Sequence, residues 1–229
     1  MLLFSDFSVF AQGLGVTLLV SLAALSLALF AGIIFGLFSM SGLGPLKALS
    51  RIYVEFFQNT PLVIQVFFLY NALPYAGITL DLITIGILGV GLYHGAYVAE
   101  VVRAGIMSIP AGQREAANSQ GFSYIQTMAY IILPQATLVI LPPLANQAVN
   151  LIKNTSVLAL VAGGDLMYRA DSWASGGSLS YGPAYVVTGL LYFTLCFPLA
   201  RWARRFEERL KMREHLVVPK ESAEEGAGE

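Results

Sequence analysis

Apolar residues form long runs along this chain, and short polar or glycine-rich breaks separate the runs. A helix that crosses a bilayer needs about 20 mainly apolar residues. Five runs reach or approach that length, so the pattern predicts an all-α integral membrane protein with five transmembrane helices. We place the spans at residues 9–40, at 53–73, at 82–102, after Pro134 as far as Leu151, and at 181–199.

The composition agrees with this assignment. Hydrophobic residues make up 56% of the chain and charged residues only 12%, whereas soluble domains carry about 25% charged residues. The single cysteine, Cys196, forms no internal disulfide, and the two histidines, His94 and His215, are too far apart to suggest a metal site. The spans hold no Ser–His–Asp set and no paired carboxylates, so we assign no catalytic residue and no metal ligand.

The basic residues predict the orientation of the spans, because loops rich in Lys and Arg stay in the cytoplasm. No Lys or Arg precedes the first span, whereas Lys47 and Arg51 follow it. Arg103 and Arg114 follow the third span in the same way. We therefore expect the amino terminus outside, the carboxyl terminus inside and the segment 108–134 in the cytoplasm.

The segment 108–134 is polar, rich in alanine and marked by helix boundary signals. Pro110 suits the first turn of a helix, and Gly121 suits the left-handed position that follows a helix. Ser123 and Gln126 have the spacing of a capping box at the start of a second helix. The segment is therefore predicted to form a helix, a turn and a second helix.

Three interpretations fit the composition of this segment. It packs as an amphipathic loop on the protein's own spans, it reads DNA, or it docks a cytoplasmic protein. Nucleic acid requires basic residues against phosphate, and Arg114 is the single one between positions 104 and 134, so no nucleic-acid partner is predicted. Ala116 and Ala117 leave room for the close approach of another surface, and Glu115 offers a charge to a basic partner.

The segment resembles the EAA motif, E-A-A-x3-G-x9-I-x-L-P, of the permease subunits of ATP-binding-cassette (ABC) importers. The stretches "YVEFFQNTPLVIQVFF", "GAYVAEVVRAGIMSIPAGQ" and "NLIKNTSVLAL" resemble the polar-amino-acid branch of that family, although Asn154 stands where the branch often has Asp. The resemblance covers roughly residues 13–209. The residues that match the motif are Glu115, Ala116, Ala117, Gly121, Ile131, Leu133 and Pro134.

The resemblance implies the type I ABC importer permease fold in a bacterial inner membrane. It also implies a coupling helix that lies in a groove of a separate ABC ATPase subunit, which uses ATP and Mg. This chain has no Gly-Lys dipeptide and hence no phosphate loop of its own. A second permease chain and an extracytoplasmic amino-acid-binding protein complete the implied assembly. The coupling residues carried over are Arg114, Glu115, Ala116, Ala117 and Gly121.

Polar side chains within the spans are candidates for a substrate pathway, because they are costly in a bilayer. Lys153 either extends to the headgroups or binds the carboxylate of a substrate. Glu100 either pairs with Arg103 or meets an ammonium group, and Gln65 either lines the passage or hydrogen-bonds a neighbouring helix. The pathway candidates are Gln65, Glu100, Lys153, Asn154, Thr155 and Ser156.

Further expectations concern the surfaces. The Gly- and Ser-rich loop 163–183 is expected to contact a binding protein through Asp165, Arg169 and Asp171. The alternative is that these charges are simply solvated.

The pairs Gly32–Gly36 and Gly91–Gly95 allow helices to approach closely, but they do not prove a dimer. The basic residues Arg201, Arg204 and Arg205 are expected to face anionic lipid headgroups.

The transmembrane permease domain is predicted over residues 1–218, and residues 219–229 are predicted to be a disordered tail. The function favoured is that of a permease in an ATP-driven importer for polar amino acids. The alternative is a secondary transporter or channel that needs no ATPase. That alternative requires buried ion-coupling carboxylates or an inverted repeat, and Glu100 is the clearest carboxylate within the spans.

Overall fold

The computed structural model describes residues 4–177 and 180–217, and every regular element in these two ranges is helical. Short π-helical and 3-10 turns connect some of the α-helices. The α-helices are α1 (Phe4–Ser39), α2 (Gly44–Asn59), α3 (Leu62–Phe67), α4 (Leu82–Met107), α5 (Ala111–Ser119), α6 (Tyr124–Thr127), α7 (Leu133–Asn154), α8 (Leu166–Ser175) and α9 (Tyr181–Val217).

Four unbroken helical stretches are long and apolar enough to cross a bilayer. A fifth candidate consists of α2 together with Leu62–Ala76, which meet at an angle of 100°. The prediction of five spans is confirmed when this bent pair counts as one span, and the orientation of the bundle stays a prediction. The four unbroken stretches are Phe7–Ser39, Leu82–Met107, Tyr124–Val161 and Tyr181–Leu210.

The second span is not the single helix that we expected over residues 53–73. It bends at Thr60, which is extended (φ −113°, ψ 131°) between α2 and α3. The proline ring of Pro61 disfavours a helical conformation in the residue before it, so α2 ends at Asn59. The buried side chain of Gln65 supports the bend, because its Nε2 donates to the carbonyl oxygens of Phe57 (3.3 Å) and Thr60 (3.1 Å).

The fourth span begins earlier and ends later than the stretch from Pro134 to Leu151. It runs without a large bend over Tyr124–Val161. A π-helical turn, Met128–Ile132, precedes Pro134, which occupies the first turn of α7, where its missing N–H costs no helical hydrogen bond. A proline in this segment therefore does not mark the start of the span.

The fifth span also continues beyond Leu199. Helix α9 extends to Val217, and its apolar stretch reaches Leu210. Side chains four positions apart stabilise this extension, since the rings of Trp202 and Phe206 stack with centroids 5.7 Å apart. The stretch after Arg201 is therefore helical as far as Val217, and the predicted disordered segment 219–229 lies outside the described residues.

Helices α1 and α4 form the centre of the bundle, and their glycines allow close contact. A Cβ atom added to Gly32 would overlap Cβ of Val98, and one added to Gly36 would lie 2.8 Å from Cβ of Val102. On the other helix, a Cβ on Gly91 would lie 3.2 Å from the carbonyl oxygen of Ala24. Both glycine pairs therefore serve contacts within one chain.

The stretch 163–183 is not an open loop, because residues 166–175 of it form α8. Asp165 is the N-cap of this helix, and its Oδ2 accepts a hydrogen bond from the backbone N–H of Met167 (3.0 Å). The N–H of Leu166 donates to Oγ1 of Thr17 on α1 (3.0 Å). Asp165 is fully buried. The expectation that it offers its charge to a binding protein is therefore wrong, because its carboxylate lies inside the bundle.

Candidate functional site

Helix α5 and the turn after it lie outside the spanning stretches, and they form a short hairpin with α6, which begins the stretch Tyr124–Val161. Pro110 is the N-cap of α5, one residue before the helix rather than within its first turn. Gly121 is left-handed (φ +82°), as predicted. The N–H of Gly121 donates to the carbonyl of Asn118 (3.0 Å) and that of Phe122 to the carbonyl of Ala117 (3.1 Å). This Schellman motif gives the carboxyl end of α5 a defined direction.

The start of α6 is fixed equally well. The N–H of Gln126 donates to Oγ of Ser123 (3.4 Å), and the N–H of Ser123 donates to Oε1 of Gln126 (2.9 Å). The predicted capping box is therefore confirmed. With both sides of the turn satisfied by hydrogen bonds, the hairpin between α4 and α7 is built as a rigid unit.

One face of α5 packs on the protein and the other is open. Ala117 is buried (2% exposed) against the rest of the hairpin, whereas Glu115 and Ala116 are exposed and Arg114 is half-buried. Helix α5 has nine residues, so it offers a free face about 13 Å long. A partner protein can reach this face without displacing any packed side chain.

A second candidate region is a cleft of about 450 Å³ between α4 and α7, here called the α4–α7 cleft. Lys153 and Asn154 line it, and both belong to the apolar stretch Tyr124–Val161. Nδ2 of Asn154 lies 3.0 Å from Nε2 of His94, whose Nδ1 lies 3.3 Å from Oε1 of Gln147. The full lining is Tyr93, His94, Tyr97, Gln147, Asn150, Lys153 and Asn154.

The sequence pattern does not predict that α7 meets His94 in this cleft. A usable signal was present, because Gln147, Asn150 and Asn154 recur at helical spacing and therefore share one face of α7. Their partner on α4 is not visible from spacing alone, since His94 is remote in sequence and meets them only through packing of the two helices.

The hydroxyl groups next to this cleft are engaged in local hydrogen bonds. Oγ1 of the buried Thr155 donates to the carbonyl of Ile152 (2.8 Å), and Oγ of Ser156 donates to the carbonyl of Lys153 (2.8 Å). These bonds satisfy carbonyls at the end of α7. Nε2 of Gln65 donates within its own bent span, to the carbonyls of Phe57 and Thr60, and a role of Gln65 in the passage stays a prediction.

A third region is a cleft of about 640 Å³ between α1, α2 and the end of α4, here called the α2–α4 cleft. Glu100 and Arg103 form an ion pair on its α4 wall. Arg51 and Glu55 form a second, exposed pair on its α2 wall, with Nε and Oε1 3.5 Å apart. The ion-pair interpretation of Glu100 is thus the one observed, and each pair lies within a single helix.

Helix α2 is held against α4 by two hydrogen bonds near the middle of the bundle. The hydroxyl of Tyr53 donates to the carbonyl of Leu92 (2.7 Å), and Nε2 of Gln58 donates to the carbonyl of Ala96 (3.2 Å). Among the residues that the structure describes, no group of three or more His, Cys, Asp or Glu side chains is placed to hold a metal ion.

Comparison with known proteins identifies the family. A family model described as "Binding-protein-dependent transport system inner membrane component" matches residues 7–212. The probable glutamine ABC transporter permease protein GlnM of Bacillus subtilis is 42% identical over 210 residues, which cover 92% of this chain and 97% of that protein. The arginine transport system permease protein ArtQ of the same species is 32% identical over 201 residues, which cover 87% and 91%.

A solved structure, described as the crystal structure of an amino acid ABC transporter with histidines, shares the fold with a TM-score of 0.84. It is 31% identical in sequence, and the match covers 90% of this chain and 95% of that chain. These findings confirm the resemblance seen in the EAA motif. The chain belongs to the family of inner membrane components of binding-protein-dependent transport systems, and it is a permease subunit rather than an enzyme.

Proposed function

We propose that this chain is the permease subunit of an ATP-driven importer for polar amino acids, and that α5 couples it to a separate ATPase. The relatives whose names refer to glutamine and arginine transport support the amino-acid class. Membership of the family implies partner ATPase and binding-protein subunits. In this assembly ATP and Mg are used by the partner, and the chain itself binds no cofactor.

The observation that carries the proposal is the position of α5 between two spanning helices but outside both. Its exposed face presents Glu115 and Ala116, and its far end is set by Gly121. Work done by an ATPase reaches the spans only through a structure that leaves the bilayer and keeps its shape under load. A hairpin whose turn is closed by a Schellman motif on one side and a capping box on the other meets that requirement, whereas an ATPase-independent carrier has no use for it.

A second permease chain is part of the proposal, as either an identical copy or a related partner. Lys153 is exposed on the surface of one chain although it belongs to an apolar spanning stretch. A charged residue within a spanning stretch faces a protein interior or water rather than lipid. A second chain placed over the α4–α7 cleft removes Lys153 from lipid and encloses a polar passage.

The extracytoplasmic binding protein is assigned to the end of the bundle that carries α8. Asp171 can contact the binding protein there, because its side chain is only half-buried. Its Oδ1 accepts a hydrogen bond from the hydroxyl of Tyr185 (2.8 Å). Arg169 is half-buried as well. The opposite end of the bundle carries the hairpin, so the two partners bind at opposite membrane faces, in agreement with the predicted orientation.

The test is affinity purification of the full chain from its host membrane, followed by reconstitution in vesicles. An ATP-hydrolysing subunit is expected to co-purify in a one-to-one ratio, and amino-acid uptake is expected to require it. Glu115→Lys is expected to lower this ratio at least fivefold, whereas Glu208→Lys, a matched change at an exposed glutamate of α9, leaves it unchanged. Uptake at full rate in vesicles that lack any ATPase would overturn the proposal.

A further inference from the structure

Four polar side chains from four different elements meet at the end of the bundle that carries α8, and they are here called the Asp165 cluster. The members are Thr17 of α1, Thr155 of the 3-10 turn after α7, Asp165 at the N-cap of α8, and Tyr192 of α9. Thr17, Thr155 and Asp165 are fully buried. The hydroxyl of Tyr192 is directed at the side chains of Thr17 and Thr155, and the carboxyl group of Asp165 is close enough to act on it electrostatically.

The polar atoms of this cluster are only partly satisfied by hydrogen bonds. Oδ1 of Asp165 and the hydroxyl oxygen of Tyr192 are buried without a hydrogen-bond partner among the described residues. Oγ1 of Thr155 donates its proton to the carbonyl of Ile152 (2.8 Å), which leaves its lone pairs free. Buried polar atoms without a protein partner commonly contact a water molecule or an ion. The cluster therefore offers a carboxylate oxygen and several hydroxyl lone pairs to a small ligand.

The charge of Asp165 is not balanced by any basic side chain. Among the described residues, no Lys or Arg forms an ion pair with this carboxylate, and none acts on it electrostatically. Arg169 follows one turn later on α8, but its Cβ and Cγ pack beside Gly13 of α1. A buried carboxylate is costly unless it is paired or coordinates a metal ion. The missing partner is therefore a cation.

The ligand atoms indicate which cation suits the cluster. All of them are oxygens, which hard cations prefer. The cluster has one carboxylate, so a single positive charge is balanced. Because its surroundings are closed, a small ion without its water shell fits better than a large one. We propose that the Asp165 cluster binds one sodium ion, with Oδ1 of Asp165 and the hydroxyl oxygens of Thr17, Thr155 and Tyr192 as ligands.

The position of the cluster indicates what the ion does. Asp165 belongs to none of the spanning stretches, so the ion is fixed in the structure rather than carried across the membrane. It joins α1, α8, α9 and the turn after α7, and it stabilises their packing. Tyr192 also lines a cleft of about 330 Å³ beside α8 and α9, which gives an ion a route towards the cluster. The proposal goes beyond the proposed function and does not depend on which solute is transported.

The experiment measures sodium binding to the purified full chain in detergent at pH 8. Equilibrium binding of radiolabelled sodium is expected to saturate at about one ion per chain. Replacing choline chloride by sodium chloride at the same ionic strength, about 0.1 M, is expected to raise the melting temperature by about 3–6 °C. Potassium chloride is expected to raise it less, because the potassium ion is larger.

Two variants and a control locate the site. Asp165→Asn keeps a side chain that caps a helix, and it is expected to lose the response to sodium. Tyr192→Phe keeps the ring and is expected to weaken sodium binding at least fivefold. Asp81→Asn is the matched control, because Asp81 is also a helix N-cap but is exposed. It should respond to sodium like the wild-type chain.

Three results would overturn the proposal. The first is an equal melting temperature of the wild-type chain in sodium chloride and choline chloride, which would mean that water or a proton satisfies Asp165. The second is a wild-type sodium response in both Asp165→Asn and Tyr192→Phe. The third is binding of far less than one sodium ion per chain. The last of these needs no variant, so a variant that fails to fold leaves the test intact.

Discussion

Asp165 combines two roles that conflict at neutral pH. Its Oδ2 caps α8, but its Oδ1 is buried without a hydrogen-bond partner among the described residues. Burial raises the pKa of this carboxyl group to about 6, although hydrogen bonds from backbone N–H groups act in the opposite direction. The native protein therefore binds a proton here more tightly than the unfolded chain does.

This difference predicts how stability depends on pH. The ordinary pKa of 3.8 applies to the unfolded chain, so the stabilisation from protonated Asp165 is complete below that pH and is lost as the pH rises through about 6. The melting temperature in detergent is expected to be higher at pH 5 than at pH 7.5, with a free-energy difference of about 1–2 kcal/mol. Asp165→Asn should flatten this dependence, and an unchanged slope in that variant would contradict the assignment.

Lys153 is exposed on a spanning helix. Such a lysine either anchors the helix at the lipid headgroups or binds a ligand. Lys153→Met keeps much of the side-chain volume and removes the charge. We expect uptake to fall at least tenfold at unchanged membrane expression, because the cleft loses its cation. Lys47→Met, at an exposed lysine of α2, is the control and should retain most of the uptake. Wild-type kinetics in Lys153→Met would show that the lysine only anchors the helix.

At the scale of the element, α5 depends on the conformation of one residue. Gly121 holds φ at +82°, where a β-branched side chain is strained. Gly121→Val is expected to leave insertion intact but to lower transport and substrate-stimulated ATP hydrolysis at least tenfold, because the Schellman motif no longer sets the exit angle. Gly121→Asn tolerates this conformation better and should keep most of the activity. Equal loss in both variants would instead indicate that the position needs a small side chain.

The contact between α1 and α4 gives a second prediction for elements. Gly32→Leu drives a side chain into Val98 and the carbonyl of Gly95, so we expect destabilisation of about 1–3 kcal/mol or more. Gly15→Leu is the matched control on the same helix, since nothing lies within 4 Å of the Cβ position there. Melting temperatures of the two variants in detergent decide the matter. Similar values would show that α1 and α4 do not need the close approach.

The elements also show which parts of this fold can be predicted from sequence. Local signals were reliable, because the cap at Gly121 and the capping box at Ser123 depend only on neighbouring residues. Sequence patterns predict the ends of the spans less reliably. The pattern predicts one span through Thr60, although the proline after it directs a bend. It also predicts a span that begins after Pro134, whereas that span includes the π-helical turn before the proline. The polar network around His94 joins α4 to α7, and no local pattern reports such a pairing.

At the scale of the whole molecule, the outer surface of one chain has two kinds of exposed face. Phe30 on α1 is 66% exposed among apolar neighbours, as expected for contact with lipid. Asn150 is exposed in the α4–α7 cleft, next to Lys153. Both side chains are exposed in the single chain, but Phe30 is apolar and Asn150 is polar. A bilayer accepts the first face directly, whereas the second requires water and a covering chain.

This contrast gives a prediction about the assembled importer. In a Cys196→Ser background, the variants Asn150→Cys and Phe30→Cys each carry one thiol. Asn150→Cys is expected to react with a water-soluble maleimide at least tenfold faster than Phe30→Cys, because the passage holds water and lipid covers Phe30. The membrane vesicles must contain the complete complex, so that any second chain is in place. Equal labelling of the two thiols would show that the polar face opens to no aqueous passage, and α4 and α7 would then have to pack against lipid or protein along their whole length.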